Sequence, residues 1–283
     1  KKHKSVEKCI PLQLQKLLAR LKLSEERAVE TTDLTKSFGW TRQDSFVQHD
    51  AQELLRVLFE TLEPCGIPIN QLFQGINRDY IICKQCRTLG GSTDFYLDLQ
   101  LYIRNMRHLD QAFNQYQIEE LLSGENQYKC DKCGRYVDAV KGVKLEKLPD
   151  VFTLHLKRFD IDYQTFENVK LNNKLIFPLR LDMNKHLHDI SSVGKDKSSN
   201  QQENVTTPQW SKHNIYNLFA VQIHSGGVGG GHYYAYIKDT NGWYEFNDST
   251  VSLISEKDVE KAFGDNNNSS SNAYMLWYMR EHP

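Results

Sequence analysis

Two Cys-x-x-Cys pairs constrain this chain more than any other feature: Cys83-Lys84-Gln85-Cys86 and Cys130-Asp131-Lys132-Cys133. Two residues between thiols let one tight turn aim both sulfurs at a single ion. Two such turns supply the four soft ligands of tetrahedral zinc. Gly134 follows the second pair directly, as a knuckle turn favours. The long stretch between the pairs has room for a strand and a helix, so the knuckles are expected at hairpin tips folded together. Four thiolates leave no open position, which makes such a zinc structural, not catalytic. The competing reading is four free cysteines in a core. Cys9, in "VEKCIP", and Cys65, in "EPCGIP", read as ordinary thiols with no helix N-terminus or cation to activate them. Thiols used this way point to a reducing compartment, the cytoplasm or the nucleus.

The hydrophobic period changes once along the chain. In "IPLQLQKLLARLK", Leu14, Leu17, Leu18 and Leu21 share one helical face. "SFVQHDAQELLRVLFETLE" predicts a second helix from about Ser45. It opens with a Ser45-x-x-Gln48 capping box, buries Leu54, Leu55, Leu58 and Leu62, and stops at Pro64 and Gly66. Alternation then takes over. "DFYLDLQLYI" reads as one half-buried strand through Phe95, Leu97, Leu99, Leu101 and Ile103, and "DVFTLHLKRFDID" as another. "LDQAFNQYQIEELL" between them reads as helix. "NLFAVQIH", "HYYAYIKD", "GWYEFND" and "AYMLWYMR" read as strands, interrupted by the short helix "SEKDVEKAF". Helices first and mostly antiparallel strands afterwards define the α+β class.

Residues 185–211 are polar and read as a mobile surface insertion that carries His186 and His188; "GDNNNSSSN" reads as a second loop. A net charge of -1 gives no reason to expect nucleic acid or an anionic membrane as partner. No apolar run is long enough to span a bilayer. The charged start, "KKHKSVEKCIP", has no apolar core behind it and no initiator Met, so no signal peptide is expected and the chain reads as a fragment or processed product.

The chemistry concentrates in "SGGVGGGHYYAYIKDTNGWYEFNDSTVS". His232 follows a glycine run, and Asn247 with Asp248 ends the next strand-like stretch. That is the pattern of a general base and the group that orients it. An Asn suffices as orienter if its amide oxygen accepts the proton on Nδ1. Gly229, Gly230 and Gly231 leave the backbone open to an extended peptide. Gln48, His49, Asp50 and Glu53 are spaced to form one polar helix face. His155 and His224 read as strand histidines with no special role.

These segments together resemble the ubiquitin-specific proteases, papain-like cysteine deubiquitinases. "GGHYYAYIKDTNGWYEFNDSTVS" is similar to the family's histidine box, and "SFVQHDAQELL" to its Gln-Gln-Asp-Ala-x-Glu segment. "LHLKRFDID" with "KLNNKLIFPLRLDM", the paired knuckles and "SSNAYMLWYMR" follow in the family's order. The resemblance covers about Ile10 to Arg280. It implies a thumb-palm-fingers catalytic domain across 1–283, with an antiparallel palm and fingers sheet. Thumb helices would span 10–65, zinc-tipped fingers 76–145 and the palm 150–283. It implies His232 as base, with Asn247 and Asp248 behind it. Gln48, His49, Asp50, Glu53, Phe159, Gly230, Gly231 and Tyr233 would hold the ubiquitin tail, and Cys83, Cys86, Cys130 and Cys133 would bind structural Zn2+. Ubiquitin and ubiquitinated proteins would be the partners.

The family's nucleophile sits in a Gly-x-x-Cys-Tyr-x-Asn-Ser box ahead of the first helix. No such segment occurs in this sequence, so the N-terminal catalytic box is expected to be missing and His232 to lack its thiol here. Three readings follow: a thiol isopeptidase in its complete form, a module that holds ubiquitin without cutting it, and a zinc-ribbon interaction protein unrelated to ubiquitin.

Overall fold

A computed structural model describes residues 6–26, 28–39, 50–187, 214–264 and 270–281. Four helices lead: α1 (Ile10–Leu23), α2 (Thr32–Ser37), α3 (Ala51–Leu62) and α4 (Ile69–Phe73). Pro11, whose missing N–H costs nothing in a first turn, opens α1. Phe59, Leu62 and Ile69 make a small separate core, with Leu14, Leu58 and Phe73 packed against it. Leu18 and Leu21, expected on the buried face of α1, are exposed. The third helix starts at Ala51 and not near Ser45. Its cap is Asp50, whose Oδ1 accepts from the backbone N–H groups of Gln52 at 2.7 Å and Glu53 at 3.4 Å. The proposed Ser45–Gln48 cap, and with it Gln48 and His49, lies outside the described residues.

The strands follow in chain order. β1 (Gly75–Cys83), β2 (Leu89–Tyr96) and β3 (Leu99–Tyr102) precede α5 (Leu109–Tyr116). Then come β4 (Glu120–Leu122), β5 (Tyr128–Cys130), β6 (Arg135–Val137), β7 (Ala139–Lys147), β8 (Val151–Lys157), β9 (Phe159–Ile161), β10 (Asn168–Lys170) and β11 (Arg180–Asp182). β12 (Ile215–Gly227), β13 (Gly230–Asp239), β14 (Gly242–Asn247), β15 (Thr250–Ile254) and β16 (Asn272–Arg280) complete the chain. A four-stranded antiparallel sheet, β2-β1-β7-β4, stands beside a larger one ordered β15-β14-β13-β12-β16-β8-β3, with β11 on β12. The pairing of β3 with β8 is parallel; the other pairs are antiparallel.

"DFYLDLQLYI" is two strands, not one. The chain breaks at Leu97–Asp98, so β2 joins the smaller sheet and β3 the larger. A buried carboxylate must be paired. Asp98, 4% exposed, finds its partners on α3: Gln52 Nε2 donates to it at 2.8 Å and Arg56 Nε at 2.9 Å. That is why Gln52 is buried on α3 where the leucine pattern alone predicts Leu54, Leu55 and Leu58, which are half-buried. β8 is buried along nearly its whole length and not on one face, with α4 packed against it. The second half of "LDQAFNQYQIEELL" is strand β4, paired with β7. "SEKDVEKAF" forms a 3-10 helix capped by Ser255 in place of an α-helix. His186 does not belong to a surface insertion. It is 2% exposed, its ring lies 4.9 Å from Phe113, and its Nε2 is 3.0 Å from Asp110 Oδ1. Residues 188–213, including His188, lie outside the described ones.

Candidate functional site

The glycine run builds a hairpin. Gly227 pairs with Gly230, so Val228 and Gly229 alone make the turn between β12 and β13. Gly226 has φ 118°, a conformation that side chains disfavour, and a Cβ there would meet Gly230 O at 2.5 Å. At Gly231 a Cβ would fall 2.3 Å from His224 Nε2 and 2.4 Å from Ser225 O. The small residue at Gly231 therefore makes room for the protein's own His224, where sequence reasoning assigned the space to an incoming peptide. Gly229 has open space around it.

The next residue is His232, and the antiparallel pairing of β13 with β14 returns the chain to it at Asn247. His232 Nε2 lies 2.7 Å from Asn247 Oδ1. The contact runs through Nε2, not through Nδ1 as expected. With Oδ1 as the acceptor, Nε2 carries the proton, and Nδ1, the other ring nitrogen, keeps its lone pair for proton transfer. Asp248 stands farther from the ring. Its Oδ2 is 3.9 Å from Nε2, its side chain is 82% exposed and its φ is 51°. Tyr234 stacks along the His232 ring at 6.3 Å.

Beside this pair runs an open groove of about 530 Å³, lined among others by Asp50, Lys157, Phe159, His224, Val228 and Tyr233. Its floor is aromatic. His224 meets Phe159 edge-on at 5.2 Å and Tyr233 at 4.9 Å, and Tyr274 of β16 meets Phe159 at 5.8 Å and His155 at 4.8 Å. Tyr274 is the residue that sequence reading missed. Its hydroxyl donates to Asp50 Oδ2 at 2.5 Å and so ties β16 to the start of α3. Burial, that bond and the nearby charge hold the Tyr274 hydroxyl protonated, well above a usual phenol. Burial and Asp50 push Tyr233 up to about 12, so it too stays neutral. Asp50 therefore serves as helix cap and tyrosine acceptor, taking three hydrogen bonds from its own chain. Glu53, three positions on in the first turn of α3, is exposed.

Lys170 holds the hairpin, and Arg158 ties β16 to the segment after β10. Lys170 Nζ donates to His224 O at 2.9 Å, Gly226 O at 3.0 Å and Ser270 O at 2.5 Å. Arg158, fully buried, donates to Ala273 O, Leu171 O and Asn173 O. Burial, then the Arg158 charge, lowers Lys170 to about 8. Burial, then the Lys170 charge, lowers His224 to about 4, so His224 is a neutral wall of the groove at neutral pH.

The four knuckle cysteines converge at the ends of β1 and β5. Their sulfurs lie within 4.8 Å of one another, with Cys83–Cys133 at 3.9 Å and Cys86–Cys130 at 3.6 Å. Thiolates about 2.3 Å from a tetrahedral ion stand about 3.8 Å apart, so the cluster fits one metal ion. All four thiols are free of disulfides.

An antiparallel meander that presents a histidine–asparagine pair beside an aromatic groove, joined to a helical layer and a cysteine-tipped sheet, is a papain-like arrangement. The family model of ubiquitin carboxyl-terminal hydrolase matches residues 1–278, and the chain belongs to that family. It is 37% identical to ubiquitin carboxyl-terminal hydrolase 47 of Homo sapiens over 97% of this chain and 24% of the relative. Against the Drosophila melanogaster protein of that name the identity is 37%, over 96% of this chain and 22% of the relative. Ubiquitin carboxyl-terminal hydrolase 40 of Mus musculus is 36% identical over 89% of this chain and 20% of the relative. The chain thus spans between about a fifth and a quarter of these relatives. Among solved structures, the SAGA Ubp8/Sgf11/Sus1/Sgf73 DUB module bound to ubiquitin aldehyde superposes with a TM-score of 0.77 at 26% identity. That match covers 99% of this chain and 61% of the matched chain. The reading as a zinc-ribbon protein unrelated to ubiquitin falls with the family membership.

Proposed function

We propose that this chain is the larger part of a thiol-dependent deubiquitinase domain that cleaves after the C-terminal glycine of ubiquitin. The observation that carries the reading is the His232–Asn247 pair with Nδ1 left open, set beside the groove of Asp50, Phe159, His224 and Tyr233. An open groove lined by aromatic rings suits an extended tail. Exposed Glu53 offers a carboxylate to the tail's basic groups. Gln48, His49 and Gly230 complete the assignment by resemblance. None of the six cysteines stands in a Gly-x-x-Cys-Tyr context, and four form the metal cluster. The reading therefore places the nucleophile outside these 283 residues.

In the reaction, His232 Nδ1 takes the proton of that thiol, and Asn247 Oδ1 stabilises the imidazolium through Nε2–H. The thiolate adds to the glycine carbonyl. The leaving amine takes the proton back from Nδ1, which leaves a thioester. Water, deprotonated by Nδ1, then releases the ubiquitin carboxylate and the thiol. The metal at the finger cluster is assigned as zinc from its all-thiolate donor set; it holds the two knuckles together and takes no part in the chemistry. The thumb is assigned to 10–65, the fingers to 76–145 with β3 crossing into the palm sheet, and the palm to 150–283. We assign the protein to the cytoplasm or nucleus because paired cysteines used as metal ligands suit a reducing compartment.

The test is labelling by ubiquitin bearing a C-terminal electrophile, with intact mass and peptide mapping, on the chain alone and with its native upstream residues. Labelling of one cysteine ahead of Lys1, lost in His232→Ala, supports the enzyme. Binding of ubiquitin with no labelling of either form establishes the non-catalytic module. Labelling at Cys9 overturns the placement of the nucleophile.

A further inference from the structure

An asparagine amide has two ends of nearly equal shape, and only one is useful to His232. With Oδ1 toward Nε2, the ring carries its proton on Nε2 and Nδ1 is a base. With Nδ2 toward Nε2, that nitrogen must accept, the proton moves to Nδ1, and the base is gone. A contact of 2.7 Å between the two side chains does not select between these states. Some neighbour of the amide must do so.

Glu245 meets that requirement. It stands two positions before Asn247 on β14, so the strand's period of two puts both side chains on one face. Its Oε1 lies 3.5 Å from Asn247 Nδ2, the sole hydrogen-bond partner of that nitrogen among the described residues. A carboxylate only accepts, so it attracts the NH2 end and turns Oδ1 to the histidine. Among the described residues Asp248 makes no hydrogen bond to Asn247 Nδ2; its side chain is 82% exposed, with Oδ2 3.9 Å from His232 Nε2. Glu245 is half-buried, and its charge acts on Lys261 and Tyr236 behind the pair. We propose that Glu245 is a positioning residue that fixes the Asn247 amide and thereby the Nε2–H tautomer of His232. The inference rests on the hydrolase reading for its consequence in turnover, but the tautomer is a property of the folded chain.

The experiment pairs 15N-histidine NMR with steady-state hydrolysis of a ubiquitin C-terminal amide by the full-length protein. In the wild type, neutral His232 is expected to show a protonated Nε2 and a bare Nδ1. Glu245→Leu should raise the Nδ1–H form and lower kcat roughly ten-fold, the loss of one charge-assisted hydrogen bond, with KM held. Glu245→Gln, whose amide oxygen still accepts, should recover most of the rate. Asn247→Asp supplies an oxygen at either end, so in that background removal of Glu245 should raise kcat. An unchanged tautomer ratio in Glu245→Leu overturns the proposal, even if kcat falls. So does a loss of rate from Glu245→Leu in the Asn247→Asp background. If the full-length wild type hydrolyses nothing, the hydrolase reading fails while the tautomer measurement still decides the role of Glu245.

Discussion

The joint between Asp50 and Tyr274 should show up as a measurable coupling. Tyr274→Phe removes one hydroxyl from a buried ring and leaves Asp50 Oδ2 without its donor. A hydrogen bond to a charged group contributes about 1.5–3 kcal/mol, which sets the expected cost. Asp50→Ala loses that bond and the α3 cap as well; a cap adds about 1 kcal/mol, for about 2.5–4 kcal/mol in all. Asp50→Asn keeps the cap, because Asn and Asp cap equally well, and should cost about 1 kcal/mol. The double variant should cost less than the sum of Asp50→Ala and Tyr274→Phe by about 1.5–3 kcal/mol, since the shared bond is lost only once. Urea unfolding at neutral pH measures each value, with an unchanged slope as the check that compactness is not altered. If the two costs simply add, or if Tyr274→Phe lies within about 0.5 kcal/mol of wild type, the joint contributes nothing and the tie between α3 and β16 has another cause.

Gly231→Ala should destabilise by about 1–3 kcal/mol through the clash with His224 and Ser225, and should weaken ubiquitin binding in a titration; a neutral effect on both would mean that the hairpin relaxes at no cost. His224 has its folded value lowered to about 4, against about 6.5 unfolded. Its contribution is therefore complete above about pH 6.5 and is lost, by about 3 kcal/mol, as pH falls to about 4. His224→Phe should keep the ring packing and show less of this acid loss, read from urea unfolding at several pH values; an acid loss equal to the wild type's would contradict the assignment. Cys133→Ser should abolish the bound metal, read by elemental analysis. Chelation of the wild type should lower stability by about 4 kcal/mol relative to a thousand-fold excess over Kd, and a metal content unchanged in the variant would rule the cluster out as the site.

The sequence shows the chemistry well and the joints poorly. The knuckles were legible because ligand spacing is a local property. The meeting of His232 with Asn247 was legible because the hairpin and both residues lie within neighbouring strands. The start of α3 was misplaced because Ser45 and Asp50 are both good caps, and nothing local says that β16 will deliver Tyr274 to Asp50. The break at Leu97–Asp98 was invisible for the same reason: alternation continues through it, and the partners that turn the chain, Gln52 and Arg56, lie on a different element. His186 read as part of a polar surface run because its apolar neighbour Phe113 and its partner Asp110 come from α5. Gly231 shows the subtlest limit. The need for a small residue was plain, but which atom needs the space follows only from the register that sets His224 opposite Tyr233.

Two side-chain pairs at the site differ sharply in how far apart their members lie along the chain. His232 and Asn247 are 15 residues apart and sit on adjacent strands of one meander. Asp50 and Tyr274 are 224 residues apart. Closing a longer loop costs more chain entropy, and contacts of that span form only after many others have fixed the ends near each other. The base and its partner should thus assemble early, as part of a local β-meander. The wall made by the α3 start should arrive late and open first in brief excursions from the native state. Hydrogen exchange would then show weak protection at the first turn of α3 beside strong protection across β12 and β13. A groove built this way can widen to admit a polypeptide tail while its proton-transfer pair stays intact.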